Sequence, residues 1–282
     1  MKRLVVTADD FGLATEVNEA VEQAHRQGVL SAASLMVGAP AAADAVARAR
    51  LMPDLRVGLH LALVESGPVA PTEDIPDLLD ASGRLRTDLA AYGLAIIIRP
   101  AVRRQIRIEI RAQFEAFRAT GLVLDHVDAH LNYHLHPTIT AELLNIGGDY
   151  GMRALRAPVE PIAHLRAVER TPRPMVAAIA APWAALMRRR ARGAGLVVAD
   201  RVFGLAWSGA MTEGRVAGLI ERLGPGRTEI YAHPATAGGF QGSAAGYRYR
   251  EELSALLSPL CRDALRHSGA FLGGYGDFAG VN

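Results

Sequence analysis

A single cysteine, Cys261, and a single lysine, Lys2, occur in 282 residues. One thiol cannot close an internal disulfide, so burial and hydrogen bonding must hold the fold, as in proteins of reducing compartments. No stretch approaches the roughly 18 to 20 apolar residues that a membrane-spanning helix needs. The start, Met1-Lys-Arg3, leads at once into Leu4-Val-Val-Thr-Ala-Asp-Asp10, too short an apolar run for a secretory signal. Together these absences point to the cytoplasm. Net charge is lacking as well: 31 basic residues against 29 acidic leave +2, without the concentrated basic face of a nucleic-acid binder. Nucleic acid is therefore not an expected partner.

Half of the residues are hydrophobic, and they fall in a repeating order. Strand-like Arg3 to Ala8 precedes helical Glu16 to Gln27, Ser34 to Val37 precedes Ala41 to Arg50, and Arg56 to Leu61 follows. A helix from Ala101 to Thr120 leads to the strand-like run Gly121 to Val127, a helix from Thr138 to Tyr150, and strands near Ala154 to Arg156, Thr228 to Ala232 and Phe271 to Gly274. Short apolar strands alternating with amphipathic helices mark βαβ units and a parallel sheet. The expected fold is α/β, a single β/α barrel over residues 1–282 with its site at the carboxyl ends of the strands.

Two regions break the rhythm. Residues 65–89 are rich in Pro, Gly and acidic side chains and read as a lid-like loop. Residues 169–192 hold the apolar run Met175-Val-Ala-Ala-Ile-Ala-Ala-Pro182-Trp183 between arginines. That run reads as a covering helix, with a lipid-facing surface helix as the alternative.

Chemistry concentrates in His126-Val-Asp-Ala-His130-Leu-Asn-Tyr-His134-Leu-His136, which packs four of the nine histidines into eleven residues. Such density suits metal binding or proton transfer. On a strand, residues two apart share a face, so His126, Asp128 and His130 project together. Asp9 and Asp10 end the first strand, where Asp-Asp before Gly12 also serves as an ordinary turn. His60 ends the third strand, and His233, followed by Pro234, ends a late one. A barrel gathers these five residues (Asp9, Asp10, His60, His130 and His233) around one mouth. Asp128 is placed to orient an imidazole. His126, His134, His136 and Arg156 are candidates for a supporting or substrate-binding role.

Thr7-Ala-Asp-Asp-Phe-Gly12, Gly58-Leu-His60, the histidine cluster and the late His233-Pro234 resemble the YdjC-like carbohydrate deacetylase family over nearly the full length. Asn18-Glu-Ala-Val-Glu22 and Gln113-Phe-Glu-Ala-Phe-Arg-Ala-Thr-Gly121 are similar to its hopanoid-biosynthesis-associated branch. The resemblance implies a distorted barrel of the glycoside hydrolase/deacetylase type that holds one divalent metal, Zn2+ or Mg2+, through Asp10, His60 and His130. Asp9 is then the base and His233 the acid. The implied substrate is an N-acetylated sugar or a glycolipid such as an N-acetylglucosaminyl hopanoid. Peripheral contact with the inner face of a membrane and a homo-oligomer both remain open. The chain departs from the family pattern at Ala129 and Leu131, where Ser and His are common, and at Ala235, where Gly is common; substrate preference should shift with them. A phosphoesterase holding two or more metals and a sugar-binding or lipid-binding barrel without turnover are the competing readings.

Overall fold

The computed structural model describes residues 1–170 and 175–278. Residues 171–174, within the Arg-flanked segment 169–192, lie outside the described part. In chain order the elements are β1 (Lys2–Phe11), α1 (Thr15–Gln27), β2 (Ala32–Leu35), α2 (Ala42–Arg50), β3 (Arg56–Leu61), α3 (Leu89–Ile98) and α4 (Pro100–Ala119). They continue with β4 (Val127–Ala129), α5 (Pro137–Gly147), α6 (Ile162–Val168), α7 (Met175–Gly193), β5 (Arg201–Phe203), α8 (Glu213–Glu221), β6 (Gly226–Ala232), α9 (Tyr249–Leu257), α10 (Pro259–Ser268) and β7 (Phe271–Leu272).

The strands pair in parallel in the order β4-β3-β2-β1-β6-β5, and β7 joins the amino-terminal part of β1. Between β4 and β5 the ladder gives way to an extended segment, residues 153–159. Arg156 N donates to Val127 O (2.9 Å), Leu155 N to Val197 O (3.1 Å) and Val202 N to Val159 O (3.0 Å). These contacts close the ring into a distorted β/α barrel. The expected strand Ala154 to Arg156 is thus a set of isolated bridges. The run Gly121 to Val127 is regular only from Val127, although Asp125 N still donates to Val57 O.

Alternation along each strand sorts its side chains. Leu4, Val6 and Ala8 of β1, Val57, Leu59 and Leu61 of β3, and Ile230 and Ala232 of β6 face outward into one large apolar cluster beneath the helices. The lumen is different. Val5, Ala32, Val202 and Tyr231 belong to a small apolar cluster there, and other lumen positions carry the polar residues Thr7, Asp9, Ser34, His60, His126, Asp128 and Glu229, all buried. A slip of one residue in any strand would exchange the two sets, so the outer apolar face fixes the register of the inner polar one.

The segment 62–88 after β3 contains two short 3-10 turns and an antiparallel bridge between Leu79 and Leu85. It is tied to α4, where Gln113 brackets Ala62 (2.9 and 2.6 Å) and buried Glu109 accepts from Val69 N and Ala70 N (3.0 Å each). The Pro182-containing run expected as a helix lies in α7.

Candidate active site

A cavity of about 390 Å3 opens at the carboxyl ends of the strands, lined among others by Asp9, Asp10, His60, His130, Tyr231, His233 and Tyr247. All five residues that the strand ends were expected to bring together stand in this wall. A larger cavity, about 640 Å3, lies at the opposite end beside Arg56 and Asp125. It holds none of them.

Asp9 and Asp10 are neighbours on one strand and should face opposite ways. Both reach the mouth because Asp10 adopts φ 62° and the β1–β2 register shifts between Ala8 and Phe11. A left-handed aspartate costs about 1 kcal/mol, a strain held at the site itself. Leu131 and Asn132, just after His130, are left-handed too (φ 53° and 51°) and turn the chain sharply out of β4.

Asp10 Oδ1 lies 3.0 Å from His130 Nδ1 and 3.3 Å from His60 Nε2, and one donor atom from each of the three residues falls within 4.8 Å of the others. On its far side His60 donates from Nδ1 to Asp128 Oδ1 at 2.9 Å, a bond that fixes the tautomer and leaves Nε2 aimed at the mouth. Burial would raise the Asp10 carboxyl, but His130 and His60 hold it well below the usual carboxylate range. Burial would lower His60, but Asp128 and Asp10 raise it well above the usual imidazole value.

Behind this set Arg156, fully buried, pairs with three carboxylates. Its fork meets Asp9 through two bonds (2.7 and 2.8 Å), Glu229 through two more (3.0 and 2.8 Å), and Nη1 lies 2.5 Å from Asp128 Oδ2. The Tyr231 ring stacks over the guanidinium at 4.5 Å. Glu229 also accepts from Thr7 Oγ1 (2.7 Å) and the Tyr275 hydroxyl (2.6 Å). Of the two roles foreseen for Arg156, carboxylate partner and substrate contact, this geometry contains the first.

His126 is deeper still. Its Nδ1 meets Asp125 Oδ2 at 2.9 Å and its Nε2 meets Ser34 Oγ at 3.0 Å, while Ser34 donates its only hydroxyl hydrogen to Asp128 Oδ2 at 2.9 Å. With the Ser34 hydrogen spent on Asp128, Nε2 is placed to donate to Ser34 Oγ, and Nδ1 faces the Asp125 carboxylate. Burial alone would lower the pKa of His126, yet Asp125 beside it gives a net rise. Gly58 is required opposite this ring, because a Cβ there would stand 2.5 Å from His126 Cε1.

His134 and His136 were candidates for a supporting or substrate-binding role, and the structure places neither in the cavity wall. His134 is buried with Nε2 2.9 Å from Arg156 O, and burial pushes it down to about 4. His136 caps α5, accepting from Thr138 N on Nδ1 and donating to Gly93 O at 3.1 Å. Both anchor the backbone around the site. His233 presents Nε2 4.0 Å from Asp9 Oδ2, with its backbone N–H held by buried Glu252. Its ring packs edge-on against Tyr231 and Tyr247, at 5.9 and 5.1 Å.

Five buried carboxylates, Asp9, Asp10, Asp125, Asp128 and Glu229, thus stand around one fixed cation, Arg156, and two imidazoles, His60 and His126, whose pKa values they raise. The excess of negative charge, with two imidazoles and a carboxylate converging, suits a divalent cation held by Asp10, His60 and His130. A second acid–histidine grouping, Asp9, His60 and Asp128, has both carboxylates already engaged by Arg156.

Residues 3–267 match the family profile described as YdjC-like protein. The chain belongs to that family. A carbohydrate deacetylase of Geobacillus stearothermophilus is 30% identical over 277 residues, 97% of either chain. One from Brevibacillus brevis is 40% identical over 148 residues, 52% of this chain and 56% of that one. Among solved structures, an Enterococcus faecalis protein named for cellobiose-phosphate cleavage superposes with a TM-score of 0.76 over 99% of each chain. At 23% identity that likeness bears on the fold alone, and it is the distorted barrel described above.

Proposed function

We propose that this YdjC-like chain is a metal-dependent deacetylase that hydrolyses the N-acetyl group of an amino sugar. The observation that carries the reading is the convergence of Asp10, His60 and His130 beside Asp9 and His233 at one cavity; the carbohydrate deacetylase names of its relatives supply the substrate class. Asp10, His60 and His130 would hold the ion. When bound, it polarises the acetyl carbonyl and acidifies water.

The remaining work falls to the chain's own side chains. An amide resists hydrolysis because water is a weak nucleophile and the amine a poor leaving group. Asp9, its plane fixed by the Arg156 fork, takes a proton from the attacking water. His233 Nε2, on the other side of a 4.0 Å gap, protonates the nitrogen as the C–N bond breaks. Water adds across the amide, releasing acetate and a primary amine. Tyr247, half-buried in the cavity wall, offers ring surface to a sugar. Residues 65–89, which bring Glu65, Ser66, Gly67 and Arg84 to the cavity rim, act as a lid on a single-domain barrel over residues 1–282.

A finer reading makes the acceptor an N-acetylglucosaminyl hopanoid, supported by the branch segments in the sequence and by exposed Trp183 of α7. Acetate release from soluble and lipid-linked N-acetylglucosamine, with and without chelator, tests both levels. Activity surviving complete metal removal overturns the mechanism; equal rates on the two substrates remove the lipid.

A further inference from the structure

Helix α3, Leu89-Ala-Ala-Tyr-Gly-Leu-Ala-Ile-Ile-Ile98, contains no charged side chain. Tyr92, Ala95 and Ile96 are buried against the barrel, while Leu94, Ile97 and Ile98 face outward, Ile98 being 63% exposed. On α7, Met175, Ile179 and Trp183 recur at helical spacing on an exposed face. Seven of the fourteen exposed large hydrophobic side chains among the described residues belong to these two helices. Single exposed apolar residues are ordinary, but concentration on two helix faces marks an interaction surface.

Both helices are built onto the wall of the cavity. The Tyr133 hydroxyl donates to Leu89 O at 3.1 Å and His136 Nε2 to Gly93 O at 3.1 Å, which fastens α3 to the turn that follows His130. Helix α7 packs against the same turn, residues 130–135, and against α5. Leu131, 45% exposed, stands on the cavity rim within that turn.

The acidic groups at the two ends of α3 are already paired, Asp88 with Arg86 and Asp77 with Arg99. Neither α3 nor α7 contains an acidic residue. Beyond Arg99, which is paired, Arg103 and Arg104 lie in the first turns of α4, and Arg189 lies in α7 beyond Trp183. None of these last three guanidinium groups makes an ion pair among the described residues. Apolar helix faces edged by unpaired arginines fit the boundary between acyl chains and anionic headgroups. Contact would be peripheral, since no described helix is long and apolar enough to cross a membrane. A second copy of the chain would meet arginine with arginine on these faces.

We infer that α3, together with the exposed face of α7, seats the protein on an anionic bilayer with its cavity wall beside the lipid. The inference stands apart from the deacetylase reading, because it rests on surface residues that touch no part of the cavity chemistry.

Flotation of the full chain with vesicles tests it. The protein should rise with vesicles of phosphatidylcholine and phosphatidylglycerol in equal parts, far less with phosphatidylcholine alone, and less in high salt. Ile97→Ser/Ile98→Ser should weaken partitioning at least about tenfold, and Arg103→Gln/Arg104→Gln about thirtyfold. Both should keep the wild-type melting temperature and its rate on a soluble N-acetylated sugar. A wild-type chain that fails to float with either vesicle, or variants that float as it does, overturns the inference. So does a dimer seen by light scattering that Ile97→Ser/Ile98→Ser converts to monomer, which would assign the face to a second copy.

Discussion

Replacing Arg156 by Met keeps most of the side-chain volume and removes the charge that three buried carboxylates share. Removing one partner of a buried ion pair costs about 3–5 kcal/mol, because the other partner is left uncompensated. In a chain of this length that corresponds to a fall in melting temperature of about 6–15 °C. The loss should also depend on pH with a defined sign. Burial would raise Glu229, but Arg156, aided by His126 and Tyr275, holds it below the usual value in the wild type. A depressed carboxylate stabilises the fold above its unfolded pKa, and that stability is lost as pH falls through the folded pKa. In Arg156→Met the same carboxyl, buried and unpaired, is raised instead. Its contribution is then full at low pH and is lost as pH rises. The gap between wild type and variant should therefore be widest near neutrality and narrow toward pH 4, as read from urea midpoints across that range. A gap independent of pH would refute the account. Arg156→Lys, which keeps a charge and loses the fork, should restore most of the stability and little of the turnover.

Asp9→Asn and His233→Ala should each lower kcat by about 10^2–10^4 while leaving metal content unchanged; retention of near-wild-type acetate release by either would remove that residue from the mechanism. Chelation should abolish acetate release, and one metal equivalent per chain, counted by elemental analysis, should restore it. Two or more metals per chain would favour the phosphoesterase reading. Burial pushes Glu160 up to about 6 from 4.5 against the opposing backbone N–H groups of Gly204, Ala206 and Leu205. A carboxyl raised in the fold stabilises it fully below 4.5, and that contribution declines as pH rises through 6. Glu160→Gln should remove this slope, about 2 kcal/mol in all, from urea midpoints measured over the interval.

Strand ends were legible because short apolar runs stop at polar residues, with Gly12 and Pro234 as added marks after β1 and β6, and with them Asp9, Asp10, His60, His130 and His233. The joint placement of Asp9 and Asp10 was not derivable from alternation, since it depends on the left-handed backbone at Asp10. Glu229 was missed although its signal was present: Glu229 and Tyr231 on β6 and His233 just past its end sit two apart, as His126, Asp128 and His130 do at β4. Reading only the last residue of the strand overlooked the lumen below it. Which of the supporting and substrate-binding roles His134 and His136 take was not legible, because a histidine's neighbours in sequence say nothing about which backbone group its ring will meet. Helix α3 was hidden by its composition, apolar on nearly every side, which gives no amphipathic period to detect.

The stretch 153–159 joins β4 to β5 through scattered hydrogen bonds where every other neighbouring pair has a ladder. Arg156 projects from this stretch to Asp9 on β1, Asp128 on β4 and Glu229 on β6. One side chain thus laces across the barrel the very seam that the backbone leaves loosely stitched. Slow exchange of the Leu155 and Val202 amides would then report ionic lacing more than strand pairing, and local opening of the barrel would begin where Asp9 is held.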